Sequence, residues 1–167
     1  VIRGLRELGV TKLVMMTGDN EKTARAVAEA VGVDAYFAEV LPEDKAAFIQ
    51  AEHAAGRKVI MLGDGVNDSP ALSEADAGVA ISDGAAIARE VADITVGAND
   101  LYALLTLKRL SDALMERIHS NYRKIISFNF LLICLGVAGV LPPATSALLH
   151  NASTLVISLK SMTKLLA

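Results

Sequence analysis

Gly63-Asp64-Gly65-Val66-Asn67-Asp68-Ser69-Pro70-Ala71-Leu72 is the stretch on which the fold turns. The apolar run 58–62 before it reads as a buried strand, and the Gly-Asp-Gly turn stops that strand. Asp64 and Asp68 then stand on either side of a glycine turn, a pair of carboxylates suited to a hard cation. Mg²⁺ takes few protein oxygens and fills its shell with water and phosphate oxygens. Gly63 and Gly65 allow a sharp turn and close backbone approach. The Asn67 amide suits a carboxylate or a phosphate oxygen. The bland alternative is a strand-to-helix turn with an aspartate cap, which ten consecutive residues of this character disfavour.

Upstream, a short apolar run at 12–16 predicts a second strand, ending at Thr17-Gly18-Asp19-Asn20. A hydroxyl from Thr17 and the backbone N–H groups around Gly18 and Asp19 would make an anion site at a helix start. Asp and Asn are also ordinary helix caps. Residues 21–31 carry Ala24, Val27, Ala28 and Val31 at helical spacing, closed by Gly32. A short extended piece at 34–40 follows. Pro42 then opens a helix over 43–55, which Gly56 ends. Lys45, one turn into that helix, would by itself be read as solvated. Downstream, strands at 78–81 and 93–96 bracket a helix at 85–91. Strands alternating with helices at these lengths predict an α/β fold, a parallel sheet with crossover helices. In such sheets the site lies beyond the carboxyl ends of the strands, where both polar clusters fall.

The chain has 167 residues, a formal charge of −3 and a mean hydropathy of +0.43. The apolar excess is localised. No carboxylate follows Glu116, whereas Arg117, Arg123, Lys124, Lys160 and Lys164 do. Two regions with different solvents are therefore expected. An amphipathic helix is predicted over 100–124, followed by uncharged runs at 125–141 and 144–159 on either side of Pro142-Pro143. Each is slightly short of a bilayer span but has flanking residues to borrow. The expectation is a two-helix transmembrane hairpin, 125–141 and 144–160, with both outer, basic ends cytoplasmic. The domain reading is thus 1–99, a connecting helix 100–124, and the two spans. No basic patch interleaved with aromatics points to nucleic acid. Cys134, the sole cysteine, allows no internal disulfide and no cysteine metal cluster. Val1 opens in what reads as a helix already in progress, so a fragment of a longer protein is expected.

Taken together, Thr17–Asn20, Leu41–Lys45 and the ten-residue run resemble the P-type ATPases, as do 75–81 and 92–94. The resemblance implies a haloacid-dehalogenase-like phosphorylation domain using ATP and Mg²⁺. It implies that Thr17 and Lys45 contact an aspartyl phosphate and that Asp64 binds Mg²⁺. Asn67 and Asp68 would complete the polar network, and Asp19 would belong to the phosphate site and hinge. A phosphoryl group in transit spreads charge over its oxygens, so cations and donors placed around it suit that chemistry. The family's nucleophile, in an Asp-Lys-Thr-Gly-Thr segment, is absent here and would lie upstream of Val1 with the nucleotide-binding domain. The chain alone is therefore expected to be inactive. A soluble haloacid-dehalogenase-like phosphatase with a hydrophobic tail, or an inactive remnant, are the competing readings.

Two helices after the phosphorylation domain are similar to the heavy-metal-transporting branch, which implies a monomeric, multi-pass membrane protein carrying a metal cation. Polar groups in an apolar span are functional suspects. Here they are Asn129 in the first run and His150, Asn151, Ser153 and Thr154 in the second. Serine and threonine satisfy themselves on the preceding turn, and His150 has interhelical hydrogen bonding as its plain alternative. His150-Asn151-Ala152-Ser153-Thr154 is loosely similar to the His-Glu-Gly-Gly-Thr pattern of the cobalt-class pumps, with Asn in place of Glu. A divalent transition metal such as Zn²⁺, Co²⁺, Ni²⁺ or Mn²⁺ is expected. Cu⁺ is disfavoured by the scarcity of sulfur ligands.

Overall fold

The computed structural model describes residues 1–64, 67–81, 90–97 and 100–165. It divides into two units, Val1–Thr106 and Leu107–Ala167. The first contains α1 (Ile2–Glu7), β1 (Val14–Met16), α2 (Glu21–Val31), β2 (Ala35–Phe37) and α3 (Pro42–Ala54). It continues with β3 (Ile60–Gly63), α4 (Ser69–Glu74), β4 (Ala77–Ile81) and β5 (Ile94–Val96). Most of the helix expected at 85–91, and the glycine expected to turn the chain at Gly65, lie outside the described residues, while Glu90 and Val91 are helical.

Local chemistry sets the helix ends. Asn20 caps α2, its side-chain oxygen accepting the Thr23 N–H at 3.0 Å. Gly32, at φ 79°, closes α2 in the left-handed conformation that a side chain disfavours. Ala24 and Ala28, one turn apart, are buried where α2 packs on β2. Pro42 begins α3, and the Asp44 carboxylate reaches back to the Leu41 N–H at 3.2 Å.

Among the described residues all strand pairs are parallel, as expected for crossover helices. β1 pairs with β2 (Val14 opposite Ala35), β3 with β4 (Ile60 opposite Ala77), and β4 with β5 (Val79 opposite Ile94). The strands form two sheets, β1-β2 and β3-β4-β5, rather than one. Hydrophobic patterning identifies a strand but not its neighbour, so this division was not legible in the sequence. β1 and β3 each keep one unpaired edge among the described strands. β2 stops at Phe37, short of the expected 40, because Glu39 turns the chain at φ 55°. Its N–H and that of Val40 then donate to Asp19 O (2.9 Å) and Thr17 O (3.0 Å).

Val79 and Val96 are buried with Leu104, and Val1, Ile94 and Ala103 pack around them. Ile49 of α3 and Ala71 and Leu72 of α4 are fully buried in the same unit, where α3 packs on α4. Burying one such aliphatic side chain contributes about 2 kcal/mol. This packing orients the two helices that carry site residues.

The remaining elements are α5 (Ala103–Val137) and α6 (Pro143–Ser161). Asp100 caps α5 through the Ala103 N–H at 3.2 Å. The expected amphipathic helix 100–124 and the first expected span thus fall on one unbroken helix. That helix ends at Val137, where Gly139 adopts φ 72° and the Val140 N–H turns back to Leu135 O.

Among the described residues no helix is long and apolar enough to cross a membrane, so the two expected spans are not seen in α5 and α6 taken by themselves. The run 125–141 loses its last four residues to the turn, and the helix reaching it carries Arg123, Lys124 and Asn129. In α6 the polar group from His150 to Thr154 interrupts the apolar residues.

Candidate functional site

The ten-residue stretch builds its geometry from a cap that does not cap. Asp68 stands at the N-cap of α4, yet its carboxylate makes no cap hydrogen bond. Pro70, in the first turn, has no N–H to offer. The Asp68 carboxylate instead meets Lys45 of α3, with Nζ 2.6 Å from Oδ1. Both side chains are largely shielded, 14% and 12% exposed. Gly63 makes room for this pair. A Cβ on that residue would fall 2.5 Å from Asp68 Oδ2, well inside contact distance. From the sequence, Gly63 is expected to allow a sharp turn and close backbone approach. Its closer constraint is the carboxylate beside it.

Asp64 follows β3, and the Asn67 N–H lies 3.4 Å from its Oδ1. Asn67 itself is exposed. At the end of β1, the Thr17 hydroxyl donates to Asp19 Oδ2 at 2.8 Å and accepts the Asp19 N–H at 3.1 Å. Thr17 is half-buried, whereas Gly18 and Asp19 are exposed. The segment after β2 joins the two clusters. Val40 is tied to Thr17, and α3 begins two residues later and carries Lys45 across to Asp68. Thr17, Asp19, Lys45, Asp64 and Asp68 therefore lie on segments that leave the carboxyl ends of β1, β2 and β3. Glu39, a non-glycine residue at positive φ, shapes that connection. Nothing in the sequence marked it.

The opposite ends of the strands carry ion pairs that brace the frame. Asp76, just before β4, accepts from Lys58 Nζ (2.7 Å), the Val59 N–H (2.8 Å) and His53 Nε2 (2.9 Å). The Lys58 bond, then the Val59 N–H, hold its pKa down at about 2. Glu52 is also held at about 2, first by its hydrogen bond from Arg57 and next by that from Lys12. Neither carboxylate touches the residues just described, so both act on the scaffold.

In the second unit His150 Nδ1 lies 2.8 Å from Asn129 Oδ1. An amide oxygen only accepts, so in this arrangement Nδ1 is the donor of the bond and Nε2 is the nitrogen that faces away from Asn129. Asn129, His150 and Asn151 line a cavity of about 700 Å³ that Leu132, Ile133 and Ser146 help to wall. The Ser153 and Thr154 hydroxyls both donate to His150 O, at 2.8 and 3.0 Å. Neither residue lines the cavity, in keeping with the plain alternative for such hydroxyls. Among the described residues no three or more of His, Cys, Asp and Glu converge on one point.

Residues 1–76 match the haloacid dehalogenase-like hydrolases. Over 158 residues the chain is 40% identical to a zinc-exporting P-type ATPase of Mycobacterium marinum, covering 94% of this chain and 22% of the relative. The chain is homologous to the heavy-metal P-type ATPases. A manganese-exporting P-type ATPase of Mycobacterium bovis is 39% identical over the same shares. A copper-transporting P-type ATPase of Rhizobium leguminosarum is 44% identical over 89% of this chain and 17% of the relative. A solved zinc-transporting PIB-type ATPase superposes with TM-score 0.82 and 29% identity, covering 96% of this chain and 26% of that one. This P-type ATPase homologue thus spans about a fifth of the length of the curated relatives it matches. The haloacid-dehalogenase-like α/β fold anticipated from its motifs is the fold it has.

Proposed function

We propose that this chain is part of an ATP-driven heavy-metal exporter that works through an aspartyl phosphate. The observation that carries the reading is the Lys45–Asp68 pair held over Gly63 at the carboxyl ends of the strands. Such a pair fixes an ammonium group in a shielded place, where positive charge stabilises a phosphoryl group most effectively. Thr17 adds a hydroxyl that already bonds Asp19, and Gly18 beside it is exposed. Asp64, with Asn67 beside it, is a hard oxygen donor suited to Mg²⁺, whose other ligands would be water and phosphate. The ion would neutralise phosphate charge. ATP itself would be held mainly by a segment outside this chain. The nucleophilic aspartate would also come from such a segment, and the unpaired edges of β1 and β3 are in keeping with a further strand. This chain alone would then form no phosphoenzyme.

The second unit would supply the transport site and the membrane association. Phe130, Ile133, Val137, Leu148, Leu155 and Val156 are each at least 60% exposed, more apolar surface than water favours. Within a larger bundle in the membrane α5 and α6 need not be apolar all round, because their polar faces would line the ion path. His150 Nε2 would bind a divalent transition metal, with Asn129 fixing the ring from behind and Asn151 on the same cavity wall. Relatives named for zinc, manganese and copper are about equally similar, so the divalent preference rests on the His–Asn chemistry alone. The intact protein would be a multi-pass membrane monomer with the α/β unit cytoplasmic.

The test is ATP hydrolysis by the intact parent protein in vesicles with Zn²⁺, Co²⁺, Ni²⁺, Mn²⁺, Cd²⁺ or Cu⁺, with and without His150→Ala. Stimulation by a divalent ion that the variant loses is the expected result. Stimulation by Cu⁺ alone, or indifference to His150, overturns the transport-site reading. Absence of any metal-stimulated hydrolysis overturns the exporter.

A further inference from the structure

Where α5 and α6 lie side by side near Ser161, a cavity of about 310 Å³ opens between them. Its walls include Arg117, Lys124 and Lys160, with Ser120 and Ser161 beside them and one carboxylate, Glu116. The three cations have different employment. Arg117 Nη1 donates to Ser161 O (3.0 Å) and Thr163 O (2.5 Å), and Nη2 donates to Lys164 O (2.7 Å). These carbonyls end α6, where the helix dipole is negative and would repel an anion. The guanidinium cancels that repulsion. Asn121 Nδ2 donates to Ser161 Oγ at 2.6 Å and fixes the cavity floor. Lys124 and Lys160 make no ion pair among the described residues. No acidic residue follows Glu116 in the sequence to neutralise them.

We propose that this cavity binds the phosphodiester headgroup of an anionic lipid, clamped between Lys124 and Lys160. The lipid source is favoured over free phosphate by what surrounds the cavity. Tyr122, Leu159 and Met162, next in sequence to the lining residues Asn121, Lys160 and Ser161, stand 63%, 57% and 83% exposed, and Leu165 lines the cavity itself, apolar surface for acyl chains. The Glu116 carboxylate further disfavours a dianion relative to a singly charged diester. The proposal rests on the membrane reading above and adds to it a defined site with lipid selectivity.

The test is flotation of the full chain with vesicles of phosphatidylcholine alone and of equimolar phosphatidylcholine and phosphatidylglycerol. Binding to both is expected, tighter to the anionic vesicles. Lys124→Gln with Lys160→Gln is expected to cut the anionic partition by more than the roughly thirty-fold that losing any two surface charges would cost, while leaving binding to phosphatidylcholine intact. Arg123→Gln with Lys164→Gln removes the same charge from the same end outside the cavity and is expected to cost markedly less. Equal losses from the two pairs would overturn the site in favour of a diffuse basic belt. Displacement by inorganic phosphate, but not by chloride at matched ionic strength, would overturn the lipid assignment. Failure to bind even phosphatidylcholine would instead bring down the membrane reading itself.

Discussion

The two units of this chain satisfy their side chains in opposite ways. In Val1–Thr106 a set of apolar groups is enclosed, and several charged groups find close partners. Ile49, Leu72 and Val79 are enclosed, and Lys45, Glu52 and Asp76 each hold an ion pair. In Leu107–Ala167, Leu132 is the one buried apolar side chain among the described residues, while the hydrogen bonds run along polar seams. Arg117 clasps one end of the hairpin, and His150 meets Asn129 farther along. The first unit is specified by its own contacts. The second is specified by a few polar contacts and presents its apolar surface outward. The same chemistry is thus used inversely in the two units.

The sharpest way to break this contrast is at Lys45. Lys45→Ala leaves the Asp68 carboxylate shielded and unpaired, which is expected to cost about 3 kcal/mol in the first unit. Hydrogen exchange at the β3 and β4 amides would read the loss, with exchange in α6 unchanged. Replacing the pair together, Lys45→Met with Asp68→Leu, is expected to restore most of that stability. Unaltered protection in the single variant would mean that the pair does not brace the unit.

Gly63→Ala comes next. The new methyl would displace Asp68, and a loss of about 2 kcal/mol is expected by the same measurement. A neutral result would show that the carboxylate moves aside freely and that the glycine serves the turn alone.

Acid sharpens the comparison without a mutation. Asp76 and Glu52 have folded pKa values depressed to about 2 from 3.8 and 4.5. Their contribution is fully present above those ordinary values. It is lost as pH falls from about 4.5 towards about 2, because the unfolded chain takes up protons first. Denaturant midpoints for the first unit should fall across that window, and Asp76→Asn should flatten the fall. A midpoint independent of pH there would remove these carboxylates from the account.

The smallest expected effect lies in the second unit. Asn129→Leu removes one interhelical hydrogen bond and should cost about 0.6 kcal/mol in a membrane-like environment. It should also free the His150 ring, which nitrogen NMR shifts of the two imidazole nitrogens would report. A fixed Nδ1–H tautomer in the variant would show that Asn129 does not orient the ring.

The sequence made the elements legible where local chemistry decides them. Asn20, Gly32 and Pro42 mark helix ends by their own side chains or lack of them, and each stands where the sequence placed it. The polar clusters at Thr17 and Asp64 were likewise readable, because glycine and aspartate are informative after an apolar run. The Lys45–Asp68 contact was not. It joins residues 23 apart in sequence through the packing of α3 on α4. The turn at Glu39 escaped because glutamate rarely takes positive φ. The two expected spans were drawn from the length of the uncharged runs, the Pro142-Pro143 break and the basic flanks. Helix length depends also on where Gly139 turns the chain and on how many polar side chains the helix carries.

The division of the sheet bears on the order in which the first unit folds. β1 and β2 close over one short crossover, as do β3 and β4, so each pair forms through contacts local in sequence. Each is therefore suited to early, independent formation. Docking α3 on α4, with Lys45 finding Asp68, is then the step that couples the two halves. A chain emerging in order from the ribosome would complete the first half before the second exists, holding Lys45 ready for a carboxylate not yet made.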